Sequence, residues 1–367
     1  MIEGVDVLPP IGVFPFLLEL IPPYEGDELY IYCNFAPIVH TYNPYTPMAT
    51  ILVAFDTLEE GFERLSQAHT LIRPPHGGDF TPEELRELIP EADVLCSVFD
   101  IPIPAELIAL GKRLRLIANY AVGYNNIDIE YARTHGITVT NTPHSVIVPT
   151  AELALALLLN CTRRVCELDR LVRREPGVKV SLSRIDRLGW LLQGKRIGIV
   201  GYGNIGEAVA ERCRAFGMQV LYYKRHRLAP EVEQAKELTY RPLEDILRES
   251  DVISLHTPYS PATHHLIGAR ELALMPQHAI LINTARGAVV DEAALVEALR
   301  SGQIAAAGLD VFEHNDLPLP ALSELDNVVM TPHVGTQTRD SRLMMTAEMT
   351  ENVLRFLEGR TDISRVV

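Results

Sequence analysis

The chain has 367 residues, 47% of them hydrophobic, which is enough for two domains because single cores rarely grow past about 250–300 residues. A formal charge of −15 gives no general attraction to nucleic acid or to an anionic membrane, so an anionic substrate would need a local cation. No apolar run approaches the roughly 18–20 residues that cross a bilayer, and the five cysteines lack zinc or disulfide spacing; a soluble cytoplasmic protein without a metal is expected.

Residues 1–47 hold eight of the 25 prolines and show no helical or strand periodicity, so they read as an irregular arm. The first basic residue is Arg64, which leaves neither the positive start of a secretory signal nor an Arg-rich transit peptide. Met48 reads like a natural beginning. From there the pattern alternates: a strand over 49–55, helices over 58–67 and 81–89, and strands over 93–98, 114–119 and 136–142. A strongly apolar helix over 150–162 leads through a charged connector, 163–187, to a second alternating series. Its strands fall at 195–200, 219–223, 252–255, 279–282, 305–309 and 327–330, the pattern of a doubly wound parallel sheet. The last helix, 340–358, is amphipathic and able to return to the first domain.

The strongest local signal is GYGNIG (201–206), which follows the strand RIGIV and opens a helix. Glycines in that context permit a tight turn and bring helix N-terminal amides to a pyrophosphate. The next strand normally ends in an acid that bonds the adenosine ribose, about 20 residues on. Lys224 stands there instead, followed by Arg225, His226 and Arg227. Such a cluster binds a 2′-phosphate where a carboxylate would repel it, so NADP(H) is preferred, with NAD(H) possible and a solvated basic loop the alternative.

LINTARG (281–287) puts Arg286 just beyond a strand, where a guanidinium can clamp a carboxylate and polarise the adjacent carbonyl. TPHVG (331–335) puts His333 at the same sheet edge, with an imidazole able to give or take a proton. Either residue alone is as readily structural; together they supply the two roles that hydride transfer to a 2-oxo acid needs. Ala121-Val122-Gly123, after the strand LIAN, reads either as a plain turn or as a nest of backbone amides for a carboxylate.

With these motifs the chain resembles the D-isomer-specific 2-hydroxyacid dehydrogenase family, most closely its glyoxylate/hydroxypyruvate reductase branch. ANYAVGYNNID (118–128), TAELALALLL (150–159), GYGNIG, LINTARGAVVDE (281–292), AAGLDVFE (306–313) and TPHVG carry the likeness from about Met48 onward. It implies an α/β fold of two Rossmann-like domains: a doubly wound cofactor domain, 150–335, inserted into a flavodoxin-like substrate domain made of 48–149 and 336–367. It further implies that Arg286 binds the substrate carboxylate and carbonyl, that His333 is the proton donor in reduction, and that Val122 and Gly123 supply backbone contacts. Tyr202, Gly203, Asn204, Ile205, Lys224, Arg225, His226, Thr257, Pro258, Thr284, Asp310 and Gly335 would line the cofactor, with Asp310 near the nicotinamide. The usual state of the family is a homodimer.

One departure concerns acid-base chemistry. The family usually places a Glu beside its catalytic histidine, and here that position is Asn315, with Asp316 adjacent as a possible substitute. A neutral amide orients an imidazole without stabilising its charged form, so less of the protonated donor would be present at neutral pH. Formate dehydrogenases of the superfamily share an amide at this position, and corepressor-like nucleotide sensors share the fold; both are alternatives to a reductase. A regulatory phosphoglycerate dehydrogenase is less expected, since no further domain follows the last helix.

Overall fold

The structure, a computed structural model, describes residues 47–75, 77–175, 177, 187–314 and 317–367. The expected arm lies outside the described residues up to Thr46, as do Asn315 and Asp316. Twelve named strands form two sheets among the described residues, and every strand pair is parallel.

The first sheet contains β1 (Thr50–Val53), β2 (Thr70–Ile72), β3 (Val94–Ser97), β4 (Leu116–Asn119) and β5 (Thr138–Thr140), in the order β2-β1-β3-β4-β5. This is the flavodoxin-like order. The second holds β6 (Arg196–Val200), β7 (Gln219–Tyr223), β8 (Leu238–Tyr240), β9 (Val252–Leu255), β10 (Ile280–Asn283), β11 (Ala306–Leu309) and β12 (Val328–Met330). Its order is β12-β11-β10-β9-β6-β7-β8, with the switch of direction between β6 and β9 as in dinucleotide-binding sheets. β3, β4, β9, β10 and β11 are buried along their whole length, which is why they read as near-continuous apolar runs.

The helix Ile147–Arg163 joins the two series and packs Ala154, Leu157, Leu158 and Cys161 into the core of the second sheet. The final helix, Arg339–Leu357, starts at Thr338, whose hydroxyl accepts the Ser341 amide at 3.1 Å and satisfies one of the first-turn donors. It packs Met345, Met349 and Val353 against Phe55 and Tyr120 of the first sheet's core, and Tyr120 Oη donates to Arg342 O at 2.6 Å. The chain then adds an edge to β5: Val366 N donates to Val139 O at 2.7 Å and Val139 N to Val367 O at 3.2 Å.

Sequence periodicity misses β2 and β8, three residues each, and the short helices Ala105–Ile108 and Ile129–Thr134, all below the length at which a period is readable. The stretch expected as a charged connector contains the helix Val165–Arg174, no residue of which is buried. Its charges are good helix formers, and its ion pair Arg173–Asp169 at 2.7 Å has helical spacing.

Candidate active site

The described residues singled out by motif sit at or just beyond the carboxyl ends of strands. Gly201 follows β6, Lys224 follows β7, Thr257 lies just beyond β9, Thr284 and Arg286 beyond β10, Asp310 beyond β11 and His333 beyond β12. In the other sheet Phe99 lies beyond β3 and Val122-Gly123 beyond β4. Ligands of open α/β sheets bind at this edge.

The glycine turn has the shape a dinucleotide needs. Gly201 has φ +98°, and a Cβ there would stand 2.6 Å from the His256 backbone. Gly206 lies under the helix Asn204–Ala215 so tightly that a Cβ would meet Gly201 O at 2.3 Å. A Cβ on Gly203, the cap of that helix, would meet nothing within 4 Å, which leaves room for a phosphate at the helix start. Nearby, the hydroxyls of Thr257 and Thr284 are shut from solvent without a hydrogen-bond partner. Buried polar atoms of this kind call for a ligand, so the residues present fit a dinucleotide. Tyr202 presents only backbone here, since its side chain is buried with the ring 5.1 Å from that of Tyr222.

At the end of β7, Lys224 is half-buried while Arg225 and His226 are exposed. Arg227 is withdrawn from the cluster, because both Glu233 oxygens take its guanidinium at 2.7 Å and its plane lies over Tyr240. Glu233 also accepts the Tyr222 hydroxyl; the Arg227 bond is the main cause that holds its carboxyl down at about 2. Pro258 is exposed at the far side of the Thr257 turn.

Asp310 organises the turn that carries His333. Its carboxylate accepts Thr331 Oγ1 at 2.6 Å, Val334 N at 2.8 Å and Gly335 N at 2.9 Å, and its carbonyl accepts His333 N at 2.8 Å. Burial is the leading influence on the Asp310 carboxyl and leaves it raised above the ordinary range despite those bonds. The turn sets His333 at φ +54°, a left-handed conformation unusual for a residue with a side chain. Such strain persists where the surroundings over-determine it, as these four bonds do. Phe99 packs on the imidazole from the other sheet, ring centroids 4.4 Å apart.

Arg286 meets the first sheet in the same way. Its Nη1 donates to Ala285 O at 2.6 Å, and Nη2 approaches Gly123 so closely that a Cβ there would lie 1.8 Å away. The 121–123 turn is held by its carbonyls: Asn119 Nδ2 donates to Gly123 O at 2.7 Å and Asn141 Nδ2 to Val122 O at 2.9 Å. Among the described residues the Val122 and Gly123 amides donate no hydrogen bond, which leaves them for a ligand. The structure thus brings Val122, Gly123 and Arg286 together, with Phe99 and His333 meeting across the same edge.

Three residues escape motif reasoning. Asn119 and Asn141 are the props of the 121–123 turn, and a wholly buried Asn ending the apolar strand LIAN was the available signal. His256 accepts or donates at Nε2 to Ser254 Oγ at 2.8 Å, while its Nδ1 is buried and unpartnered; burial pushes the imidazole down to about 4.

Residues 155–335 match the model of the D-isomer specific 2-hydroxyacid dehydrogenase NAD-binding domain. A glyoxylate reductase of Thermococcus litoralis is 46% identical over 288 residues, covering 78% of this chain and 85% of that one. The chain belongs to the D-isomer specific 2-hydroxyacid dehydrogenase family. Among solved structures, a glyoxylate reductase from Paecilomyes thermophila superposes with TM-score 0.78 at 32% identity, covering 87% of this chain and 98% of that one. An NADPH-dependent glyoxylate/hydroxypyruvate reductase from Sinorhizobium meliloti, solved with NADP and malonate, gives 0.76 at 29% identity over 88% and 97%. This member of the family is therefore an NAD(P)-dependent 2-hydroxyacid dehydrogenase of the glyoxylate reductase type, built on two parallel sheets. Among the described residues no helix is long and apolar enough to cross a membrane, and no cluster of potential metal ligands occurs.

Proposed function

We propose that the enzyme reduces glyoxylate and related small 2-oxo acids at C2, with NADPH preferred over NADH. The observation that carries this reading is the meeting of Arg286 with the Val122-Gly123 amides across the two sheets. A carboxylate there receives the guanidinium and two amide donors together, which fixes its orientation. Arg286 also polarises the carbonyl oxygen, and His333 gives that oxygen its proton. The nicotinamide, when bound, supplies the hydride to C2. Asn315, or Asp316 beside it, would orient the imidazole.

The dinucleotide would lie on Tyr202, Gly203, Asn204 and Ile205, with Thr257, Pro258, Thr284, Asp310 and Gly335 along its course and Lys224, Arg225 and His226 at its adenosine end. The NADPH preference is supported by the cations at the end of β7, where Arg227 already neutralises Glu233. On the same reading, 48–149 with 336–367 bind substrate and 150–335 bind cofactor. A homodimer in the cytoplasm completes it: Val165, Val172, Leu188 and Leu191 offer exposed apolar surface for a second copy, and the four described cysteines are unpaired.

The test is oxidation of NADPH and of NADH, followed by absorbance, with glyoxylate as acceptor. Arg286→Ala should abolish turnover while fluorescence titration still shows NADPH binding. Equal loss of NADPH affinity in that variant would remove Arg286 from the substrate role.

A further inference from the structure

Beside His333 lies a cavity of about 1090 Å³, far more than a two-carbon acid occupies. Its floor includes Phe55, Val98, Phe99 and Tyr120, three of them buried members of the first sheet's core with Phe99 packed against it. Its rim carries six carboxylates, Asp56, Glu59, Glu60, Glu63, Asp79 and Asp100. Among the described residues Arg342 is the one guanidinium in the lining, drawn over the Tyr120 ring 5.8 Å away. Outside the lining, Arg339 pairs with Glu60 at 2.6 Å and Arg73 reaches Asp56 at 3.9 Å, so three negative charges remain in excess. The Asp100 carboxyl is raised, by partial burial first, with Asp79 adding to the rise while His333 and Arg342 oppose it.

His333 and Phe99 line the cavity, so a substrate whose oxygen faces His333 borders it. We propose that the cavity receives the C3 substituent of the substrate, accepting extended hydrocarbon chains on its apolar floor and disfavouring a second carboxylate at its acidic rim. An uncharged or cationic end is accepted. This rests on the placement of Arg286 and His333 at the reacting centre. Like charges across a part-exposed cavity repel by an amount that falls with salt, so the rim acts as a selective barrier instead of an absolute one.

The experiment compares kcat/KM at low salt for 2-oxohexanoate, 2-oxoglutarate and 5-guanidino-2-oxopentanoate, with glyoxylate as the reference in every preparation. The uncharged and cationic acids should be reduced, and 2-oxoglutarate should fall at least about tenfold below 2-oxohexanoate. Raising salt, and separately the double substitution Glu59→Gln with Glu63→Gln, should narrow that gap several-fold. Equal rates for 2-oxoglutarate and 2-oxohexanoate, or a gap that neither salt nor the double substitution moves, overturns the electrostatic rim. Reduction of glyoxylate with none of the longer acids overturns the cavity as the C3 site while leaving the reductase reading in place. Failure with glyoxylate as well takes both down together.

Discussion

Gly123 and Arg286 occupy touching space although they follow strands of different sheets: a Cβ on residue 123 would stand 1.8 Å from Arg286 Nη2. On the proposed reading, only glycine lets the guanidinium and the turn amides face one carboxylate. Gly123→Ala should therefore lower kcat/KM for glyoxylate by about 100-fold, the order expected when a binding group is displaced by an ångström. NADPH affinity should hold. A variant that loses NADPH binding to the same degree, or keeps full turnover, contradicts the arrangement. Arg286→Lys should restore only part of the loss of Arg286→Ala, because an ammonium has no planar fork.

The cations after β7 make cofactor choice a separable property. Lys224→Asp should reduce kcat/KM with NADPH by at least about tenfold and raise it with NADH, since a carboxylate bonds ribose hydroxyls and repels a phosphate. Arg227→Ala should shift cofactor preference much less, because both its bonds go to Glu233. Steady-state kinetics with both cofactors decide it; a wild type that already prefers NADH refutes the assignment.

Much of the two-sheet fold is legible in the sequence because its long strands are buried on both faces and separated by helical periods. β3, β4, β9, β10 and β11 are of this kind. β2 and β8 are not, since three residues with an exposed member carry no period. Arg286 and His333 stand out as candidates by motif and strand end. Asn119 and Asn141 do not, as their part is to hold carbonyls of a turn that is remote from Arg286 in sequence. Nor could sequence separate Arg227 from Lys224 and Arg225, because that depends on Glu233 folding back from the next helix.

On the proposed reading Asn315, with Asp316 beside it, is the partner of His333 in place of a glutamate. Reduction then takes its proton from His333, so activity should fall as pH rises. Asn315→Glu should move that fall to higher pH by favouring the charged ring. Asp316→Asn is the companion measurement: a shift to lower pH shows that Asp316 already partners His333. If neither variant moves the profile and His333→Asn still turns over normally, proton donation belongs to another group.

His256 gives a pH dependence of stability instead of rate. Burial lowers its imidazole to about 4 in the folded chain, against about 6.5 when unfolded. Between those values the unfolded chain binds the proton and the folded chain does not, so stability falls as pH drops through that window and is fully present above it. The loss amounts to roughly 2–3 kcal/mol at the lower end. His256→Gln should flatten this part of a urea-midpoint profile, although it lowers stability at neutral pH through the lost Ser254 contact. An unchanged slope between pH 6.5 and 4 would show that His256 does not cause it.

The first sheet is closed by a helix and an edge that come from the far end of the chain: Met345, Met349 and Val353 cover it, and Val366 pairs with Val139. Seven strands of the other sheet lie between these partners in sequence. A ribosome therefore delivers every strand of the seven-stranded sheet before the helix that completes the five-stranded sheet emerges. The contacts within the seven-stranded sheet close shorter loops and form early, whereas the early strands β1 to β5 must wait, partly uncovered, for residues made after that sheet. Nascent chains should consequently acquire dinucleotide affinity before they acquire turnover, and the interval between the two is when β1, β3 and β4 are most exposed to mispairing.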